Sequence, residues 1–318
     1  MARRRPLGKK LFKAILPLLL IVAAAALIAL ASLVYGVTRP PQQAYLVTPE
    51  SFAQISGSAL KVTEESWPNR DGTMARGWLL RGAEGAPAVV LLHRYGGDRS
   101  WLFNLGIKLN ETTNFTILWP DLRGHGLNPP VKATSFGGSE GEDLLAAVDF
   151  LHSMKGYGQT PLVGQSVGAY GVEMGAYAAL RAAAKDPSIT ALVVDSVPRS
   201  PDELLNAAVI GEVGVKNNFL LSLARLATHS YFLGRYENTP SCELARTLKT
   251  QKVLLLGGAD NPALRDATAS LVPCVANPAN LETKLDLPVT GFSLSSTTGE
   301  QGEGYDRPVI DFFNRNLR

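Results

Sequence analysis

The pentapeptide Gly164-Gln165-Ser166-Val167-Gly168 follows the apolar run 161–163 and precedes the helix-like segment AYGVEMGAYAALRAAA. A Gly-x-Ser-x-Gly pattern between a strand and a helix is typical of a sharp turn, because small flanking residues let the chain reverse tightly and project the serine. The sequence therefore predicts a strand-to-helix turn at 164–168. The same turn would place the Ser166 hydroxyl at the N-terminus of a helix, whose dipole favours negative charge.

Short apolar runs alternate with helix-like segments on both sides of this pentapeptide. The runs cover residues 87–92, 115–119, 161–163, 189–194, 253–256 and 285–289, and the helix-like segments cover 99–110, 142–154, 167–185, 261–271 and 304–316. This alternation predicts a mainly parallel sheet with helices on both faces. Residues 60–67 and 74–80, separated by the turn signal 69–72, predict an antiparallel pair before it.

One interval interrupts the alternation. Residues 198–248 separate two predicted strands and are far longer than an ordinary connection. We interpret them as a helical cap insertion lying over the site.

The N-terminus carries the basic character of the chain. Six Lys and Arg residues lie within residues 1–13, which contain no acid, and the other residues have 25 basic against 28 acidic side chains, a net charge of −3. The pI of about 8.8 is therefore no indication of nucleic-acid binding. Residues 14–37 follow without a charge. As a helix rising about 1.5 Å per residue, they are long enough to cross a hydrocarbon core of roughly 30 Å.

This segment predicts a transmembrane helix at 14–37, with residues 1–13 cytoplasmic and the rest of the chain extracytoplasmic. A cleaved signal peptide is the alternative, because Ala29-Leu30-Ala31 resembles a cleavage site. We favour the uncleaved anchor because the apolar run is longer than a signal-peptide core. Residues 38–58 are interpreted as a linker and residues 59–318 as the folded domain. In an oxidising compartment Cys242 and Cys274 could pair, and two unpaired buried thiols are the alternative.

Four segments then match one family in the expected order. They are LLHRYGGDRS at 91–100, PDLRGHG at 120–126, GQSVG at 164–168 and LLLGGAD at 254–260. Over residues 60–318 the chain resembles the α/β-hydrolase superfamily, in particular membrane-anchored members similar to serine aminopeptidases and monoacylglycerol lipases. The resemblance implies an eight-stranded, mainly parallel sheet. It is specific for the fold but not for the substrate.

The resemblance also implies roles for individual residues. Ser166 matches the nucleophile, and Asp260 matches the acid of the triad, with Asp195 as its rival at another strand end. The backbone N–H of Val167 and the loop Arg94-Tyr95-Gly96 match the oxyanion donors. His93 and His125 match histidines that make structural hydrogen bonds.

Two positions depart from the family pattern. Arg94 stands where a glycine usually follows the histidine, and Phe292 stands where the catalytic base is expected. The chain has only four histidines, at 93, 125, 152 and 229, so none follows Asp260. Losing the base costs serine proteases roughly 10⁴–10⁶ in kcat. His229, in the cap insertion, is the candidate substitute base, whereas His152 is interpreted as structural.

Two functions remain open at this point. The first is a serine hydrolase of carboxylic esters or amides with an incomplete triad. The second is a catalytically inactive pseudohydrolase that binds an acyl ligand, a peptide or a protein partner. The sequence has no metal-ligand cluster and no phosphate-binding loop, so we expect no cofactor and no metal.

Overall fold

The computed structural model describes residues 7–56, 61–293 and 299–317. Part of the predicted basic tail (1–6), the end of the predicted linker with the start of the first predicted strand (57–60), and 294–298 lie outside the described residues, as does Arg318. The helices are α1 Leu7–Val37, α2 Pro49–Ser56, α3 Phe103–Thr113, α4 Gly138–Ser153, α5 Met174–Ala183, α6 Pro201–Val213, α7 Asn218–Tyr231, α8 Ser241–Thr247, α9 Pro262–Ala269 and α10 Gly299–Asn316. The strands are β1 Val62–Pro68, β2 Met74–Leu80, β3 Ala86–Leu92, β4 Thr116–Pro120, β5 Val163–Val172, β6 Ile189–Asp195, β7 Lys252–Gly258 and β8 Leu281–Leu287.

The strands form one eight-stranded sheet in the order β1-β2-β4-β3-β5-β6-β7-β8. β1 pairs with β2, and β2 with β4, in antiparallel orientation, whereas the remaining pairs are parallel. The central strands are buried along nearly their whole length because helices cover both faces, as their continuous apolar sequences require. The predicted mainly parallel sheet with an antiparallel pair at its start is confirmed.

β5 is much longer than predicted. The sequence pattern limited it to 161–163 and began the next helix at 167, but the strand continues through Val172 and α5 begins at Met174. Residues 167–172 pair with β3 on one side and β6 on the other. Because this segment lies between two strands in the middle of the sheet, pairing with both neighbours outweighs the helical character of its small residues.

The contacts within the chain group it into two units. The first comprises Met1–Val37 and Asn206–Arg235, and the second comprises Thr38–Leu205 and Tyr236–Arg318. In the first unit α7 packs against α1. Within α1, Ile15–Val37 is long and apolar enough to cross a membrane, with a hydropathy of 2.7. Interval 198–248 holds α6, α7 and α8, so its predicted helical content is confirmed.

The predicted linker is partly structured. Helix α2 lies within it, and the side chains of Tyr45 and Phe52 pack against the core of the second unit. The Tyr45 hydroxyl donates to Asp121 Oδ2 at 2.7 Å and accepts from Arg99 Nη2 at 2.9 Å. The described part of the predicted linker, residues 38–56, therefore includes a helix and side chains that pack against this unit.

A disulfide joins Cys242 and Cys274, which are 32 residues apart in sequence. Of the two alternatives that the sequence left open, the structure has the paired one. Closing a loop of this length lowers the entropy of the unfolded chain and stabilises the fold by about 4 kcal/mol.

Replacing both cysteines by serine should lower the free energy of unfolding by about 4 kcal/mol, measured by chemical denaturation. Dithiothreitol should destabilise the unchanged protein similarly and leave the double variant unaffected, and equal stability of both proteins would contradict the prediction.

Candidate functional site

The sharp strand-to-helix turn of this fold lies at Glu173. Glu173 follows the last residue of β5, precedes α5, and has φ 51° and ψ −106°. Its neighbours two positions away are glycines in crowded places. A Cβ on Gly171 would lie 2.2 Å from Gly175 O, and a Cβ on Gly175 would lie 2.4 Å from Leu92 O. Close backbone packing thus requires glycine at both positions, while the strained residue between them carries a carboxylate.

Ser166 lies near the amino ends of the parallel strands, whereas Glu173 lies at their carboxyl ends. In the pairing of β3 with β5, Leu92 is opposite Gly171 at the carboxyl end, whereas Ala88 is opposite Val167 near the amino end. Strand residues Val167–Val172 separate Ser166 from Glu173, and at roughly 3.3 Å per residue they span about 20 Å. The prediction of the turn at 164–168 is therefore wrong. Ser166 is part of a strand, and the Val167 N–H donates to Ser188 O at 2.9 Å.

The Glu173 carboxylate accepts hydrogen bonds from two backbone N–H groups. Tyr95 N donates to Glu173 Oε2 at 3.0 Å. Met174 N, directly after the turn, donates a second hydrogen bond to the same carboxylate. A loop N–H after β3 and the N–H that follows the turn residue are the two donors expected for an oxyanion hole in this fold. The Glu173 side chain occupies both of them.

Two buried histidines fix the loop that carries Tyr95. His93 Nδ1 lies 2.8 Å from Arg94 O, and its Nε2 accepts from Leu122 N at 3.0 Å. His125 Nδ1 lies 2.9 Å from Arg123 O, and its Nε2 accepts from Gly96 N at 3.0 Å. Each ring therefore has a hydrogen-bond partner at both nitrogen atoms, which agrees with the predicted structural role. Burial lowers the pKa of His93 to about 4 and that of His125 to about 3, so both are neutral at neutral pH.

Arg94 lies between two aromatic rings. Its Cζ is 4.4 Å from the centre of the Trp101 ring and 4.6 Å from the centre of the Phe292 ring. Its Nη1 donates to Tyr95 O at 3.2 Å. Guanidinium groups stack well on aromatic faces, so this cation is held beside the loop rather than in open solvent. Its positive charge acts on the nearby Glu173 carboxylate.

Two carboxylates at neighbouring strand ends hold the segment where a base was expected. Asp260 Oδ2 accepts from Thr290 N at 3.1 Å and from Thr290 Oγ1 at 2.8 Å. Asp195 Oδ2 accepts from Gly291 N at 2.6 Å and from the Tyr305 hydroxyl at 2.5 Å. Asp260 thus contacts this segment, as its match to the triad acid implies, but it binds a threonine. Among the described residues, its buried Oδ1 has no hydrogen-bond partner.

Burial dominates the ionisation of both central acids. It raises the pKa of Glu173 to about 7, although the Arg94 charge and the N–H groups of Tyr95 and Met174 favour the ionised form. It also raises the pKa of Asp195 to about 6, against the hydrogen bonds from Tyr305, Gly291 and Ser196. The pKa of the Arg94 guanidinium is lowered by its own burial. The proton on Glu173 is therefore exchanged close to neutral pH.

Replacing Glu173 with glutamine should change how stability depends on pH. The folded pKa of about 7 lies above the ordinary value of 4.5, so the folded protein binds this proton more tightly than the unfolded chain. The free energy of unfolding should therefore fall by about 3 kcal/mol as the pH rises through this window. Glu173→Gln should remove that part of the fall, measured by denaturant unfolding at about pH 5 and about pH 8. The exposed-site variant Glu111→Gln is the control. An unchanged pH dependence in Glu173→Gln would contradict the assignment.

The two other histidines both lie on helices. His229 lies on α7 in the first unit, and His152 lies in the last turn of α4. Sequence reasoning missed Glu173, which no rule for serine motifs selects. A signal was present: Gly171-Val172-Glu173-Met174-Gly175 repeats the glycine spacing of 164–168 with a carboxylate at its centre. The pairing of the two strands supports this choice: β3, which ends just before His93, ends opposite Gly171 and therefore next to the turn at Glu173.

No family model matches the sequence, and neither does any curated protein. Solved structures do match. An esterase of Pyrococcus furiosus, Pf2001, shares 20% identity at a TM-score of 0.66, covering 88% of this chain and 98% of the esterase. The α/β hydrolase GrgF from Penicillium sp. sh18 shares 16% identity at a TM-score of 0.61, covering 81% and 99%. The hypothetical protein PA2218 from Pseudomonas aeruginosa shares 16% identity at a TM-score of 0.54, covering 81% and 94%. With its strand order and its turn at Glu173, the chain has the α/β-hydrolase fold.

Proposed function

We propose that this chain is a membrane-anchored, catalytically inactive pseudohydrolase whose role is binding. One observation carries the proposal: the turn that presents the nucleophile in this fold carries Glu173, and its carboxylate accepts the hydrogen bonds of Tyr95 N and Met174 N. Because Glu173 has no hydroxyl group, this turn presents no serine nucleophile. When ionised, the Glu173 carboxylate also places negative charge where hydrolysis of an ester needs free donors for a developing oxyanion.

Among the residues of the second unit that the structure describes, none around Glu173 can serve as a catalytic base. Both nitrogens of His93 and His125 have partners, and Phe292 cannot relay a proton. Removing the triad of a serine protease lowers kcat by about 2 × 10⁶, which corresponds to about 8–9 kcal/mol of activation free energy. In serine proteases residual catalysis comes from the oxyanion hole, but here Glu173 occupies those donors. We therefore expect even the residual rate to be lost.

The membrane part of the proposal rests on α1 and the cysteine pair. Ile15–Val37 has the length and composition of a membrane span, and the basic residues before it favour a cytoplasmic N-terminus. The Cys242–Cys274 disulfide is compatible with an oxidising, extracytoplasmic compartment. In this arrangement the hydrolase-fold domain would bind an acyl ligand, a peptide or a protein partner outside the cytoplasm.

A carboxylate nucleophile is the second candidate, favoured by the position of Glu173 at the turn. A glutamate carboxylate can attack an alkyl carbon, displacing a halide ion or opening an epoxide ring to an alkoxide, and water must then hydrolyse the ester that forms. Two observations weigh against this route. The carboxylate is engaged by Tyr95 N and Met174 N, and neither nearby histidine has an open nitrogen to activate water.

Turnover by the purified full-length protein in detergent tests both candidates. The substrates are p-nitrophenyl esters and anilides of increasing acyl length, together with alkyl bromides and epoxides. We expect no rate above that of the heat-denatured protein in any class. Ester turnover abolished by Ser166→Ala would restore the serine hydrolase function, and alkyl halide or epoxide turnover abolished by Glu173→Gln would establish the carboxylate nucleophile.

A further inference from the structure

Helix α7 presents an apolar stripe to the outside of the first unit. Phe219 is 73% exposed and Leu226 is 66% exposed, and Leu233, just beyond the helix, is 85% exposed. Phe219 and Leu226 are seven residues apart, close to two helical turns, so they lie on one face. Two large apolar side chains thus share the exposed face of α7 with Ser222 and Ser230, and apolar exposure that recurs along one helix face favours an interaction surface.

The opposite face of α7 is buried, and the helix packs against α1 of the same unit. Leu221, Ala224 and Thr228 are its buried residues, and the helix contacts α1. Residues 15–29 of α1 are exposed, whereas Val34 and Val37 are buried. The contact between the helices therefore lies in the last turns of α1. This is the end of the candidate membrane span.

That location determines what can cover the apolar stripe. Packed helices lie about 8–10 Å apart, so a helix held against the last turns of a membrane span stays at the membrane surface. The charges of the segment agree with this position. Between residues 206 and 235 the chain carries Lys216, Arg225 and Arg235 against the single acid Glu212. The helix itself carries Arg225 and no acid, with Lys216 and Arg235 beside it, and positive charge next to an exposed apolar face favours binding to anionic headgroups and insertion among acyl chains.

We infer that α7 is an interfacial helix, whose stripe of Phe219, Leu226 and Leu233 is embedded in the outer part of the bilayer that α1 spans. The inference rests on the membrane anchor of the proposed function, but not on the absence of catalysis. It assigns to part of the cap insertion a lipid-binding role. The lipid surface is what covers the apolar stripe of α7.

Site-directed spin labelling of the full-length protein tests this placement. Both native cysteines are in a disulfide, so a single introduced cysteine can be labelled selectively. The labelled variants are Phe219→Cys and Leu226→Cys, with Ile21→Cys in α1 as the lipid control and Tyr157→Cys, at a site 89% exposed in the second unit, as the water control. Each protein is reconstituted into vesicles of phosphatidylcholine and phosphatidylglycerol. Accessibility to molecular oxygen, which enriches in lipid, is compared with accessibility to a water-soluble nickel chelate.

The oxygen-to-nickel ratio is expected to shift from below one at Tyr157→Cys to above one at Phe219→Cys and Leu226→Cys, as at Ile21→Cys. A ratio at the two α7 sites like that of Tyr157→Cys would overturn the inference, because the stripe would then face water. Low accessibility to both reagents would also overturn it, since a second copy or another protein surface would then cover the stripe. A low ratio at Ile21→Cys would instead refute the membrane anchor itself.

Discussion

Replacing Glu173 with serine and Phe292 with histidine in one chain should raise ester hydrolysis by about 10³-fold over the unchanged protein. The first change frees Tyr95 N and Met174 N and presents a hydroxyl from the strained turn. The second supplies a base in the segment that Asp260 binds through Thr290; the buried Asp260 Oδ1, which has no hydrogen-bond partner among the described residues, can accept from the imidazole. Initial rates with p-nitrophenyl acetate measure the gain.

The single variants are the matched controls for this gain. Glu173→Ser lacks a base and Phe292→His lacks a nucleophile, so each should remain far below the double variant, because triad members act as a unit. The thermal unfolding midpoint of each protein shows whether it is folded. A folded double variant no faster than the unchanged protein would mean that these two positions do not correspond to nucleophile and base.

Replacing Asp195 with alanine should lower the free energy of unfolding by about 5 kcal/mol. Asp195 is fully buried, and its carboxylate accepts from Gly291 N, the Tyr305 hydroxyl and the Ser196 hydroxyl. The truncation leaves these donors buried without this acceptor, at roughly 1–3 kcal/mol each. Denaturant unfolding of the full-length protein measures the loss.

The variant Asp195→Asn separates hydrogen bonding from charge. Its amide oxygen can still accept, so it should be less destabilised than Asp195→Ala. The exposed-site variant Asp149→Ala is the control for an acid at the surface, where Asp149 pairs with Arg70 at 2.9 Å. Exposed pairs contribute about 0–1 kcal/mol, so this change should have little effect. Equal losses for Asp195→Ala and Asp149→Ala would contradict the proposed role of Asp195.

Apolar periodicity predicted the sheet because it reflects burial on both faces. The runs near β3, β4, β6 and β7 were located to within one or two residues, and the helices predicted within the interval 198–248 are present. The chain between 161 and 175 was not predictable in the same way. It contains two pentapeptides with flanking glycines, and only the pairing of β5 with β3 decides which one ends level with Leu92.

The candidate site was predictable in part. Arg94, Tyr95, Asp260 and Phe292 were identified from the sequence, and the structure places Tyr95 and Arg94 around Glu173, with Phe292 against Arg94. The groups to which these residues form hydrogen bonds could not be predicted from the sequence. The hydrogen bonds to the Glu173 carboxylate and the Asp260–Thr290 contact depend on how separate loops meet at the carboxyl ends of the strands. Motif spacing alone does not determine such contacts.

Covalent labelling with a fluorophosphonate probe, mapped by peptide mass spectrometry, tests most directly whether Glu173 has replaced the nucleophile. The unchanged full-length protein, Ser166→Ala and the double variant Glu173→Ser/Phe292→His are treated side by side. We predict a label at position 173 of the double variant and no labelled serine in the unchanged protein. A label on Ser166 of the unchanged protein, lost in Ser166→Ala, would contradict the account.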